Sequence, residues 1–309
     1  MGVLRDALST RRTMQSLPPM KDLHYISDDE LKQLQACFLE ILKDIDRVCE
    51  ENNICYMAAG GTCLGSVRHK GFIPWDDDVD LLMPRKDLKK FIEIFDRTLS
   101  DKYEITSPNT KYPLESMITA VYMKDTYKGT FQAMGTDLPK GVHIDIFEIV
   151  SVPRTKLARL IKGSFVTVIQ YIAVSTLFSS LTNKEKEEFF NQNLTGKINY
   201  RMRMAVGKIF SFLPPEKWAK IFDDCVSCRR DTGLWAVPTD IKHYFGHIMP
   251  KDVYYPPVKG QFEDFLINLP HNTDEYLKNQ YGDYMVIPPE EEREKHWSIG
   301  FNLESGEKK

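Results

Sequence analysis

The residues best suited to chemistry fall in two places, Gly60-Gly61-Thr62 and Asp76-Asp77-Asp78-Val79-Asp80, with a later Asp145 set between Ile144 and Ile146. Side chains in a strand alternate faces, so Asp78 and Asp80 share one face while Val79 points into the core. Two carboxylates held side by side repel unless a cation stands between them. Hard oxygens in such a pair suit Mg²⁺ (or Mn²⁺), which takes one or two carboxylates and fills its shell with water and substrate phosphate. An Asp in the middle of an apolar strand is costly without a partner, and a neighbouring strand would make Asp145 the third carboxylate of the same site. Asp78, Asp80 and Asp145 are therefore the expected metal-binding and catalytic residues.

The elements that must hold these residues are legible in the pattern. Ser27-Asp28-Asp29-Glu30 is a capping box. Behind it Leu31, Leu34, Phe38, Ile41, Leu42, Ile45 and Val48 recur every three to four residues, predicting an amphipathic helix to about Asn52-Asn53. Strands are expected over Ile54–Ala58, turned by Gly60-Gly61, and over Val79–Met83, Ser116–Met123 and Val142–Val150, with a helix over Asp87–Leu99. This alternation predicts an α+β core with a mixed sheet and flanking helices. From Arg154 to Lys208 only helical pattern appears, with ten basic residues against three acidic ones in a chain of net charge −3. Another helix follows Pro214-Pro215 to about Cys228, and one more is expected near Thr273–Tyr281. The organisation predicted is a basic arm over 1–26, a catalytic core over 27–150, a basic helical insertion over 151–234 and a part completing the core over 235–309.

The order of strand, Gly-Gly-Thr, Asp-x-Asp and later apolar-Asp-apolar strand resembles the nucleotidyltransferase superfamily. The longer stretch from Gly61 to Asp80 (GTCLGSVRHKGFIPWDDDVD), with His143-Ile144-Asp145-Ile146-Phe147, Tyr281-Gly282-Asp283-Tyr284-Met285 and Pro288-Pro289, resembles the LicD family of phosphotransferases, to which the fukutin-related proteins are also similar. The resemblance implies transfer of a phospho-alcohol, most simply phosphocholine, from a CDP-activated donor to a hydroxyl of a cell-surface glycan. Ribitol or glycerol phosphate as cargo, and true nucleotidyl transfer, are the alternatives among enzymes, and a zinc-bearing binding module is the alternative from a different class. It also implies that Gly60, Gly61 and Thr62 lie against the donor phosphates and that Asp78, Asp80 and Asp145 hold the metal. Arg68 and Lys70 are further phosphate candidates, with His69 beside them, because cations there would stabilise transferring charge. Trp75 could stack on cytosine, and Arg293 and His296 are weaker candidates. A choline pocket needs aromatic faces, available from Tyr254, Tyr255, Tyr281, Tyr284 and Trp297.

Composition narrows the remaining choices. Six cysteines in 309 residues are too few for a disulfide scaffold, and the net charge does not suit a protein that coats nucleic acid. Cys225-x2-Cys228 and His243-x3-His247 have zinc-finger spacing, but Trp235 to Lys242 contains Pro238 and lacks a finger helix, so structural zinc is not expected. Met1 to Gln15 lacks the apolar core of a signal peptide. The run Gly163 to Leu181 falls short of a convincing span. A cytoplasmic protein touching the inner face of the membrane through its basic helices is the expected location.

Overall fold

A computed structural model describes residues 13–14, 16–18, 24–240, 243–293, 297–304 and 306. Most of the arm expected over 1–26 lies outside the described residues, although His24–Tyr25 forms strand β1.

Helix α1, Asp28–Glu51, begins as the capping box requires. The Ser27 hydroxyl accepts the Glu30 amide at 3.4 Å, and the Glu30 carboxylate accepts the Ser27 amide at 2.9 Å. Its stripe Leu34, Phe38, Ile41, Leu42, Ile45 and Val48 is wholly buried. Each such side chain contributes about 1.5–3 kcal/mol relative to exposure.

The principal sheet has seven strands. In order these are β2 (Met57–Ala58), β3 (Asp80–Pro84), β7 (His143–Ser151), β5 (Thr119–Met123) and β4 (Tyr103–Thr106), with β8 (Leu234–Ala236) and β9 (Met249–Pro250) added at the far end of β7. The β3–β7 pair is parallel and the others are antiparallel, so the sheet is mixed and the chain is α+β. Register in the parallel pair sets Asp80 directly beside Asp145. Two small pairings, β1 with β12 (Trp297–Ser298) and β6 (Tyr127–Lys128) with β13 (Phe301–Asn302), tie down the end of the described chain. Strands β10 (Val258–Phe262) and β11 (Phe265–Leu269) form a hairpin.

The segment after β2 departs from expectation. Gly60-Gly61 does not turn the chain back as a loop but opens helix α2, Gly60–His69, so Arg68 and His69 occupy a last helical turn. Three glycines in ten residues, each costing about 1 kcal/mol of helix propensity against alanine, hide this helix from local pattern. Tertiary packing holds it: Cys63, Leu64, Gly65 and Ser66 are buried, and a Cβ on Gly65 would lie 2.4 Å from the Gly71 carbonyl oxygen. Lys70 caps the helix in the left-handed region at φ 64°, its amide bonded to the Gly65 carbonyl.

Helix α3, Arg85–Thr98, packs on the sheet as expected. Between the neighbouring strands β7 and β8 the chain runs through α4 (Lys156–Ser180), α5 (Lys184–Phe190), α6 (Leu194–Ile209) and α7 (Pro215–Val226). These build a second core from Val166, Ile169, Ala173, Trp218, Phe222 and neighbours. The basic residues of this part are not all on its surface. Lys186 is buried and donates to the carbonyls of Gln132 and Leu181 at 2.8 Å, and Arg203 is buried against Tyr171 and Phe178. The chain then returns through α8 (Lys251–Tyr254) and α9 (Thr273–Tyr281), which closes over α2.

Candidate active site

The N-terminus of α2, the start of β3 and the end of α9 meet around a cavity of about 180 Å³. Gly60, Gly61, Asp76, Asp78, Asp80 and Tyr281 wall it, with Asp240, Tyr276 and Gln280 behind them. Asp78 precedes β3 by two residues and is exposed, whereas Val79 is buried. The alternation read from the sequence therefore places Asp78 and Asp80 on one cavity. Asp145 lies next to Asp80 in the sheet but does not itself line that cavity.

Electrostatics joins the three carboxylates. Burial, then the charges of Asp78, Asp145, Asp76 and Asp240, push the Asp80 carboxyl well above its ordinary range. Burial and then Asp78 push Asp145 up to about 7, against the pull of Lys128. Such mutual penalties are what a cation between them would relieve. Among the described residues no three His, Cys, Asp or Glu side chains form a ready-made ligand set, so the carboxylates stand close without being closed around a point.

Glycine is required at the mouth of the cavity. Gly60 sits at φ +43°, and a Cβ there would touch the Tyr281 hydroxyl at 3.4 Å and an Asp80 oxygen at 3.6 Å. A Cβ on Gly61 would stand 2.7 Å from an Asp76 oxygen. The Gly60 amide donates to the Tyr276 hydroxyl at 3.1 Å. Tyr281 remains protonated, raised by burial and then by Asp80, Asp76 and Asp78, and so offers a donor to the cavity.

Thr62 does not face the cavity. Its side chain is buried, and the hydroxyl accepts the Asp80 amide at 3.0 Å. Helical rotation turns the third residue of Gly-Gly-Thr toward β3, which makes Thr62 a positioning residue for Asp80. Asp77, inside the acidic run, is buried and ion-paired with Lys128 at 3.4 Å. The Lys128 ammonium also lies over the Phe38 ring at 5.4 Å, anchoring the acidic loop to α1. Nothing in the spacing pointed to Lys128 or to Asp240, whose carboxylate pairs with the buried His247 ring.

A neighbouring cavity of about 350 Å³ shares Gly61, Asp76 and Tyr281 with the first and adds Arg68, Trp75, Tyr284 and Arg293. The Arg293 guanidinium lies over the Trp75 ring at 4.1 Å. Arg68 donates to the carbonyls of Tyr284 at 2.9 Å and Val286 at 3.3 Å, joining α2 to the Tyr-Gly-Asp-Tyr block. His69 meets the edge of Trp75. Lys70 lines neither cavity: its ammonium turns back to the Val67 carbonyl at 3.2 Å, because the left-handed cap swings it past the end of the helix. His296 lies outside the described residues.

The aromatic candidates separate. Tyr281 and Tyr284 reach these cavities, Tyr254 is core, and Tyr255 lines a different cleft. The zinc-spaced residues do not converge. The Cys225 thiol bonds the Phe222 carbonyl, Cys228 receives Lys162 at 3.7 Å, His247 is held by Asp240, and the exposed His243 begins a short 3-10 turn.

A mixed sheet with paired Asp residues beside a Gly-Gly helix start defines the class as an α+β protein with an acidic cavity, and comparison with known proteins places it further. Residues 53–163 match the family model described as LicD/FKTN/FKRP, nucleotidyltransferase domain, a span that carries α2, the acidic run and Asp145. The chain is 27% identical over 271 residues to the lipopolysaccharide cholinephosphotransferase LicD of Haemophilus influenzae, covering 86% of this chain and 95% of that one. Shorter matches occur to uncharacterized proteins of Rickettsia prowazekii (35% over 68 residues, 20% of this chain and 26% of that one) and Rickettsia typhi (42% over 55 residues, 18% of each). The chain thus carries a match to the LicD family over residues 53–163 and is similar to a LicD protein over most of its length, in keeping with the residues of the acidic block and its companions.

Proposed function

We propose that this protein is a transferase that moves phosphocholine from CDP-choline to a hydroxyl of a cell-surface glycan precursor. The single observation that carries the reading is the convergence of Asp78, Asp80, Gly60, Gly61 and Tyr281 on one cavity, with Asp145 in register behind Asp80. Support for the cargo comes from the similarity to a lipopolysaccharide cholinephosphotransferase.

A divalent cation, Mg²⁺ or Mn²⁺, held by Asp78, Asp80 and Asp145 would supply neutralisation of the donor's phosphate charge. The chain's own residues do the rest. The first turn of α2 and the Tyr281 hydroxyl orient the diphosphate. Arg68 stands at the edge of the adjoining cavity, where Trp75 offers a face for the base. The acceptor hydroxyl attacks the phosphorus that bears the alcohol, the bond to CMP breaks, and CMP departs with the electron pair. Asp145 takes the hydroxyl proton. In such a displacement catalysis is chiefly positioning and charge stabilisation. The 27–150 core, completed by residues after 235, would be the catalytic unit.

The reading is tested by thermal stability with Mg²⁺ and, separately, CDP-choline, CDP-ribitol, CDP-glycerol and CTP, repeated on Asp78→Asn. A ligand that binds the folded state raises the melting temperature by mass action. A metal-dependent rise with CDP-choline that disappears in the variant is expected. A rise with another CDP-alcohol alone would change the cargo, and a rise with CTP alone would change the reaction to nucleotidyl transfer.

A membrane-surface location on the cytoplasmic side fits the same enzyme. Helix α4 has the length and apolar composition of a membrane span, but half of its most apolar window is buried in the protein. On its opposite face Leu157, Leu160, Ile161, Phe165 and Val168 are 55–68% exposed. Their spacing forms one stripe, with Arg154 and Lys156 exposed at its start. An apolar stripe with cations at its margin is suited to lying on an anionic lipid surface.

A further inference from the structure

The sheet face that carries Asp80 leads to a second cavity of opposite character. Side chains alternate along a strand, so Asp80, Leu82 and Pro84 share a face, as do Phe147 and Ile149 on β7 and Trp235 and Val237 around β8. Leu82, Phe147 and Val237 wall the acidic cavity, whereas Pro84, Ile149 and Trp235 wall a cleft of about 790 Å³. Four residue steps along β3 separate Asp80 from Pro84, about 13 Å.

The cleft is cationic in an acidic chain. Arg85, Lys86, Lys89, Arg229, Arg230 and Lys251 line it, against Asp87 and Asp231. Some of this charge is already matched within the fold. Arg85 pairs with Glu148 at 2.8 Å and with Asp223 at 2.5 Å, Lys251 pairs with Asp231 at 2.7 Å, and Asp87 accepts the Cys55 amide at 3.0 Å. Lys86, Arg229 and Arg230 are exposed and have no ion-pair partner among the described residues.

The position of Lys86 is the more telling observation. Helix α3 starts at Arg85, Pro84 provides no side-chain cap, and the first turn holds Arg85 and Lys86 beside Asp87 where the dipole favours anions. The pairs with Glu148 and Asp223 account for Arg85, whereas Lys86 has no ion pair among the described residues. An anion in the cleft would meet the uncapped first-turn amides, the helix dipole and three free cations together. Beside them the half-exposed Tyr255 presents an aromatic ring at the cleft wall, with the Lys251 ammonium 5.5 Å from its centroid and the buried Trp235 packed behind it. An aromatic ring next to cations suits a sugar that carries phosphate rather than a bare ion.

We propose that this cleft binds a phosphorylated sugar unit of the acceptor glycan, at a distance from the hydroxyl that enters the acidic cavity. The identity of the ligand as acceptor rests on the transferase reading above. The existence of an anionic-sugar site does not.

The experiment is calorimetric titration of the full chain with fructose 1,6-bisphosphate and with inorganic phosphate, repeated on R229S/R230S and on Asp78→Asn. Both arginines are exposed, so the double variant is expected to fold, and an unchanged melting temperature checks this. The sugar bisphosphate should bind the wild type more tightly than phosphate, weaken with added salt, and lose at least tenfold in affinity in R229S/R230S but not in Asp78→Asn. CDP-choline binding with Mg²⁺ should show the reverse pattern. Equal affinity for wild type and R229S/R230S, or no preference for the sugar over phosphate, would overturn the proposal. Sugar-phosphate binding without any CDP-choline binding would leave the cleft standing and remove the transferase reading. With lipopolysaccharide as acceptor, R229S/R230S should raise KM for the acceptor and leave kcat unchanged.

Discussion

The Thr62 hydroxyl accepts the backbone amide of Asp80 at 3.0 Å, fastening the first turn of α2 to the first residue of β3. Through this bond the helix start that faces the cavity and the carboxylate that lines it move as one piece. The Ala59 amide returns the connection by donating to the Asp80 carbonyl at 2.9 Å.

Replacing Thr62 by Val keeps the shape and removes the acceptor, leaving the Asp80 amide unsatisfied in a buried place. The expected loss is about 1–3 kcal/mol of stability, read by urea unfolding, together with weaker metal-dependent donor binding. Thr62→Ser should restore most of both. A Thr62→Val protein with wild-type stability and donor binding would show that the bond positions nothing.

Lys128 is expected to matter more than any surface lysine. Lys128→Met takes the ammonium away from the buried Asp77 carboxylate, and breaking a buried pair in this way costs about 3 kcal/mol or more. Lys128→Met/Asp77→Asn should recover part of the loss. Denaturant melts of the single and double variants measure the coupling directly.

Without added metal, stability should fall as pH rises from about 4 to 7. The Asp145 carboxyl titrates near 7 in the folded chain and near its ordinary 3.8 when unfolded. The folded state therefore holds more protons across that window, and its advantage is lost as pH climbs through the higher value. Glu148, pushed up to about 7 chiefly by burial, adds to the slope. Asp145→Asn should flatten the profile in part, and saturating Mg²⁺ should flatten it in the wild type. Melting temperature against pH gives the answer; a rise from pH 4 to 7 in metal-free wild type would contradict it. Turnover of Asp145→Asn bears on the proton transfer, since an undiminished rate would exclude Asp145 from that role.

Phe165→Glu and Leu160→Glu alter only side chains that are more than half exposed. Both should leave the melting temperature within a degree or two and should abolish flotation with vesicles containing anionic lipid at low salt. Unaltered flotation would exclude this face of α4 as the contact.

Where periodicity or a local hydrogen-bond code was strong, the sequence sufficed. The capping box and stripe of α1, the helix Thr273–Tyr281 and the strand around Asp145 lie where the residues put them, because burying one face fixes a period and a cap fixes an end. The same alternation gave Asp78 and Asp80 a common cavity. Helix α2 was illegible because its three glycines oppose helix formation locally. Packing against β10 and α9, with no room for a Cβ on Gly65, decides the matter. That unseen helix in turn moved Thr62 from the phosphate side to the sheet and carried Lys70 away from the cavities. Partnerships distant in sequence lie equally beyond local pattern. Asp77 with Lys128, Asp240 with His247 and Arg293 with Trp75 depend on which strands adjoin and where the chain returns, and only the folded molecule fixes those distances.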